Sequence, residues 1–130
     1  EIYMGDWSSD VCSSDLHEGE ISEELRAVLA HNLRLLGKHG VRIAVGSDSY
    51  RQTSLSEILN LEKLKVFDNK TLLKMWCETT PAAIFPSRKI GRLRDRYEAS
   101  LLALEGDPLQ DFLNVTRIST RIKQGTVLTS

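Results

Sequence analysis

An amphipathic helical stretch, a glycine and a short apolar run follow one another over residues 21–45, and that order predicts an α/β fold. The end of the apolar run supports it. VRIAV at residues 41–45 leads through Gly46 and Ser47 to one acid, Asp48. A short buried strand carrying a carboxylate at its C-terminal tip is how α/β barrels place catalytic groups. After residue 88 the pattern changes, and period-two alternation predicts a small β element.

The first sixteen residues stand outside this reading. GDWSSDVCSSDL at residues 5–16 matches, for eleven consecutive residues from Asp6, the translation of a common sequencing-library adapter. Such a segment is set aside before the fold is considered, and Glu1 to Met4 precede it and go with it. The natural protein is therefore expected from about His17 onward. Without the four acids of residues 1–16, 17 basic residues face 14 acidic ones, a net charge of about +3. That is too mild to imply nucleic-acid binding or an electrostatic hold on a membrane. Cys12 lies in the set-aside segment, so Cys77 has no partner for a disulfide. No apolar run reaches the roughly 18 residues of a membrane span. The compartment stays open, because a true N-terminus is not expected to be present.

Each element has its own warrant. Ile21, Leu25, Val28, Leu29, Leu33 and Leu36 recur near the helical period, which predicts a helix over residues 21–39. Ser22, Glu23 and Glu24 suit its start, Lys38 and His39 its last turn, and Gly40 its left-handed terminus. A strand is expected at residues 41–45. After the polar loop Ser49-Tyr50-Arg51-Gln52, Thr53 or Ser54 is placed to cap a helix over residues 55–64, with Glu57 positioned for a capping box. Asp68 or Asn69 is placed to cap a helix over residues 71–79, and Pro81 suits the first turn of another. Short strands are then expected at residues 90–93, 98–105, 115–123 and 126–128, with turns at residues 106–109 and at Gly125.

Four stretches, in order, resemble the end of an amidohydrolase-superfamily protein of the imidazolonepropionase-like kind. They are GVRIAVGSDS (residues 40–49), ETTPAAIF (78–85), KIGRL (89–93) and YEASLLALEGDPLQDF (97–112). The resemblance implies the C-terminal end of a (β/α)₈ TIM-like barrel, its last strand and helices, followed by C-terminal strands of a small β-sandwich. Residues 17–87 would then be the end of the hydrolase barrel, and residues 88–130 part of a composite β-sandwich domain. Many relatives carry Gly where this chain has Arg96, which suggests another turn geometry or some strain.

The resemblance also implies chemistry. Such hydrolases use a divalent metal, zinc above all, to make a water nucleophilic near neutral pH. The water attacks a non-peptide or cyclic amide, or a related ester. The acid after the eighth strand, here Asp48, touches the metal or its water and shuttles the proton to the leaving group. Ser49, Tyr50 and Arg51 fall where barrel enzymes build substrate pockets, and Arg51 is suited to grip a carboxylate or carbonyl oxygen. The expected partner is a small-molecule substrate, and a homo-oligomer of the parent is compatible with the family.

Other candidates read as structural. His31 and His39 belong to the first helix and match no ligand position, His17 adjoins the adapter-like segment, and Cys77 reads as a buried structural thiol. No H-x-H pair occurs, and a whole barrel takes about 250 residues. The chain is therefore expected to be an inactive, poorly folding part of a metallohydrolase that holds no metal stably. The alternatives are a small non-catalytic binding or structural protein, and a hydrolase homologue whose ligands are lost.

Overall fold

The computed structural model describes residues 22–47 and 53–129. They form a mixed helix-and-strand structure with a three-stranded antiparallel sheet. Helix α1 spans Glu23–Lys38. Ser22 caps it, its Oγ accepting the Leu25 N–H at 3.2 Å, and Glu23 and Glu24 lie in the positive first turn. Gly40, at φ +67°, ends it as anticipated. Its N–H donates to the Gly37 carbonyl and that of Val41 to Leu36, the paired bonds of a Schellman terminus.

Residues 41–45 do not form the expected strand. A strand needs a neighbour for its backbone groups, and no strand of the described residues lies beside this segment. It enters the core as irregular chain, with Val45 buried.

Helix α2 (Leu55–Lys63) follows the undescribed residues 48–52. The expected capping box does not form. Ser54 occupies the cap position, but its Oγ accepts the indole N–H of Trp76 at 2.7 Å. Thr53 Oγ1 instead accepts the Leu55 N–H at 3.4 Å. Helix α3 (Asn69–Lys74) is capped by Asp68, which accepts the Thr71 N–H at 2.7 Å. It runs on through a π-helical turn, Met75–Thr79, into α4 (Thr80–Ile84). The wide turn has a local cause. Pro81 brings no N–H and its ring crowds the carbonyl four residues back, that of Cys77. A π-turn opens the helix at such a point.

Gly91 lies against that opened turn. It sits at φ +84°, and a Cβ there would fall 1.8 Å from the Cys77 carbonyl oxygen. Residues 90–93 are consequently a loop and not the expected strand, because the chain bends to lie over Cys77. The loop is held at its ends. The Glu98 N–H donates to the Lys89 carbonyl at 2.7 Å, Arg88 pairs with Glu98 at 2.7 Å, and Arg92 pairs with Glu78 at 2.8 Å. Arg96, where a glycine was noted in relatives, has φ +66°. The turn keeps the left-handed conformation with a non-glycine residue, so the strain reading holds.

The sheet comprises β1 (Leu101–Leu104), β2 (Ile118–Lys123) and β3 (Thr126–Leu128), in that order. Leu101 faces Ile122, Arg121 faces Leu128, and a bulge falls between Ala103 and Leu104. In β2, exposure alternates residue by residue, as its period predicts. Its start differs from expectation, since Phe112–Thr116 is a 3₁₀ turn capped by Asp111. That turn directs Phe112 and Val115 into the core. Gln124 and Gly125 both have positive φ, as a two-residue hairpin between twisted strands requires.

The core is one cluster of Val45, Ile58, Leu72, Met75, Phe112 and Val115. It joins the segment after α1 to α2, the α3 rod and the 3₁₀ turn. Helix α1 contributes little. Only Ala30 of its residues is buried, while Leu25, Val28, Leu29, Leu35 and Leu36 are exposed.

Gly91→Ala is expected to cost upwards of about 3 kcal/mol, because backbone must move. Arg96→Gly should stabilise by about 1 kcal/mol by relieving the left-handed residue. Urea unfolding of both variants checks the opposed signs. Two carboxyls also set the acid limb of stability. Hydrogen bonds from the Thr71 hydroxyl and N–H lower the Asp68 pKa, and those from Arg88 and then Ser100 lower that of Glu98. Stabilisation from a lowered carboxyl is complete above the ordinary values, 3.8 and 4.5, and fades as pH falls through the folded values. Melting temperature should therefore fall below about pH 4, and Glu98→Gln should flatten that fall.

Candidate functional site

A buried threonine side chain holds the segment that leads to Asp48. Thr80 is the one buried polar residue among those described. Its Oγ1 accepts the Val45 N–H at 2.7 Å and donates to the Met75 carbonyl at 2.8 Å. The Thr80 backbone N–H also donates to Met75, the five-residue reach of a π-turn. The turn that accommodates Pro81 thus presents a hydroxyl to a backbone group 35 residues away in sequence. Among the described residues no strand supplies the acceptor that Val45 needs, and Thr80 takes that place.

Asp48, Ser49, Tyr50 and Arg51, the expected catalytic, metal-ligating and substrate-binding residues, lie outside the described residues. The chain leaves the core at Val45 and passes Gly46, exposed, and Ser47, half-buried, before reaching them. No residue of the Thr79-Thr80-Pro81 turn was anticipated as a positioning element for this segment. The sequence offers no signal for a pairing this distant, beyond the fact that both stretches belong to resembling motifs.

The remaining candidates do not converge. His31 and His39 are exposed on α1 and at its end. Cys77 corrects an expectation, since it is exposed and not a buried structural thiol. The π-turn carries it on the outer side of the rod, away from the core that holds Met75. Partial desolvation of its sulfur, and then the Glu78 carboxylate, raise its pKa and keep it protonated near neutrality. Among the described residues no three His, Cys, Asp or Glu side chains come together to hold a metal. None of the helices described is long and apolar enough to cross a membrane.

Compared with known proteins, the chain matches no family model, and no curated protein or solved structure matches it significantly.

Thr80→Val should cost about 2 kcal/mol, because it leaves the buried Val45 N–H without an acceptor. Thr80→Ser, which keeps the hydroxyl, should cost less. Amide hydrogen exchange at Val45 checks this, with faster exchange in the valine variant than in the serine variant.

Proposed function

We propose that the chain is the C-terminal part of a metal-dependent amidohydrolase, with Asp48 as its proton shuttle. The observation that carries this is the ordered set of four motifs, with GSD at the end of an apolar segment. Two features of the structure support it. Val45, three residues before Asp48, is buried and tied through Thr80 to the TTPAA motif, so two of the motifs depend on each other physically. The apolar stripe of α1 is exposed among the described residues, which suits a helix that packs against further protein.

In this reading the described residues form the last helices of a (β/α)₈ barrel and C-terminal strands of a composite sandwich. The divalent metal, zinc by the resemblance, is held by histidines of the parent that this chain does not include. It supplies an activated water when bound. Asp48 takes the proton of the attacking water and returns it to the leaving nitrogen, the role a carboxylate beside the scissile bond can fill. Ser49, Tyr50 and Arg51 contact the small-molecule substrate beyond the tip of the segment. Residues 41–45, irregular here, become the eighth strand once a neighbouring strand supplies its pairing.

Reading the coding DNA upstream of His17 tests the parentage. An open frame of some hundreds of codons with H-x-H near its start supports the proposal. DNA encoding Glu1 to Leu16 directly before His17 sinks it, and favours a small non-catalytic protein. In the parent so obtained, Asp48→Asn should lower kcat for amide hydrolysis about 10²–10⁴-fold, the usual contribution of a general acid–base group. Unchanged turnover would remove Asp48 from the mechanism.

A further inference from the structure

A cleft of about 460 Å³ opens between α1, the residues that follow it and α3. Its size is that of a small-molecule site. Three basic side chains line it, Arg34 from α1, Arg42 from the segment after it, and Lys74 from α3. No carboxylate lines it. None of the three belongs to the ion pairs Lys65–Glu62, Arg88–Glu98, Arg92–Glu78 or Arg117–Glu105. Arg34, Arg42 and Lys74 thus lie at one cleft whose lining holds no carboxylate, and Asp68 stands beside it, bound by the N–H and hydroxyl of the lining residue Thr71.

The rest of the lining is mostly apolar. Ile43, Phe67 and Met75 contribute to it, and Thr71, whose hydroxyl donates to Asp68, lies one turn before Lys74. Gly37 and Phe67 adjoin at the cleft, where a Cβ on Gly37 would lie in ordinary contact with the Phe67 ring, at 3.4 Å. Guanidinium groups suit the planar oxygens of a carboxylate or phosphate, and an aromatic ring suits an apolar body.

We propose that this cleft binds a small amphipathic anion, a carboxylate or phosphate head on an aromatic or short aliphatic body. Arg34, Arg42 and Lys74 hold the head, and Phe67 with Ile43 and Met75 receives the body. The inference uses neither Asp48 nor its loop; it concerns this chain with residues 41–45 irregular, the form in which Arg42 and Ile43 line the cleft.

The test is an NMR titration of the ¹⁵N-labelled 130-residue chain with phenyl phosphate, 3-phenylpropionate, inorganic phosphate and benzyl alcohol. At least one aryl anion is expected to bind about tenfold more tightly than inorganic phosphate or the neutral alcohol, since both head and body contribute. Shifts should centre on the amides of Gly37, Ile43 and Thr71. The tighter of the two aryl anions identifies the head group. Combining Arg34→Gln, Arg42→Gln and Lys74→Gln should weaken that binding at least about tenfold, while Lys38→Gln leaves it unchanged. The proposal falls if neither aryl anion binds, if inorganic phosphate binds as tightly, or if the shifts lie away from the cleft. Should the triple variant unfold, the shift map of the unaltered chain decides alone.

Discussion

The hydroxyl of Thr80 holds two distant pieces of this chain in register, and much of the structure follows from where it sits. A backbone N–H taken into a core needs an acceptor. Val45 is buried with no strand beside it among the described residues, and Thr80 Oγ1 is its acceptor. Thr80 reaches Val45 from a helix that has opened into a π-turn, and Pro81 gives that turn its reason to open. The same opening leaves room at the Cys77 carbonyl for the backbone of Gly91, where no side chain fits. One proline thus fixes the contact to the segment before Asp48 and the path of the chain toward the sheet.

The core built around this contact is small. Six buried side chains form it, and they come from the middle of the chain and from the 3₁₀ turn rather than from α1. Helix α1 is well capped at both ends, so its boundaries are locally determined. Its apolar stripe is nevertheless exposed. Capping and periodicity stabilise a helix as a local structure, but burial of a stripe requires a second surface. The proposed parent accounts for such a surface by supplying the neighbouring barrel elements. The cationic cleft that α1 shares with α3 is formed wholly by described residues.

The candidate site was legible as a motif and not as a geometry. Apolar run, Gly46, Ser47 and Asp48 can be read in order, but nothing in that order says what fixes Val45. The tether comes from Thr80, and it arises from a helix irregularity that no periodicity shows. Cys77 stands two residues after the buried Met75, which puts it on the side of the helix away from the core, where it is exposed. The cations Arg34, Arg42 and Lys74 look like ordinary surface residues until the fold brings them to one cleft.

By itself, the sequence determined what short-range chemistry decides. Ser22 and Asp68 cap their helices, Gly40 and Gly125 take left-handed turns, and β2 alternates. Each of these depends on a few neighbouring residues and on allowed backbone angles. Tertiary structure alone decided the rest. Residues 41–45 and 90–93 have the composition of strands, yet neither forms one. A strand exists only where another chain segment accepts its hydrogen bonds. Here a threonine hydroxyl meets one of these segments, and a glycine laid against a widened helix bends the other.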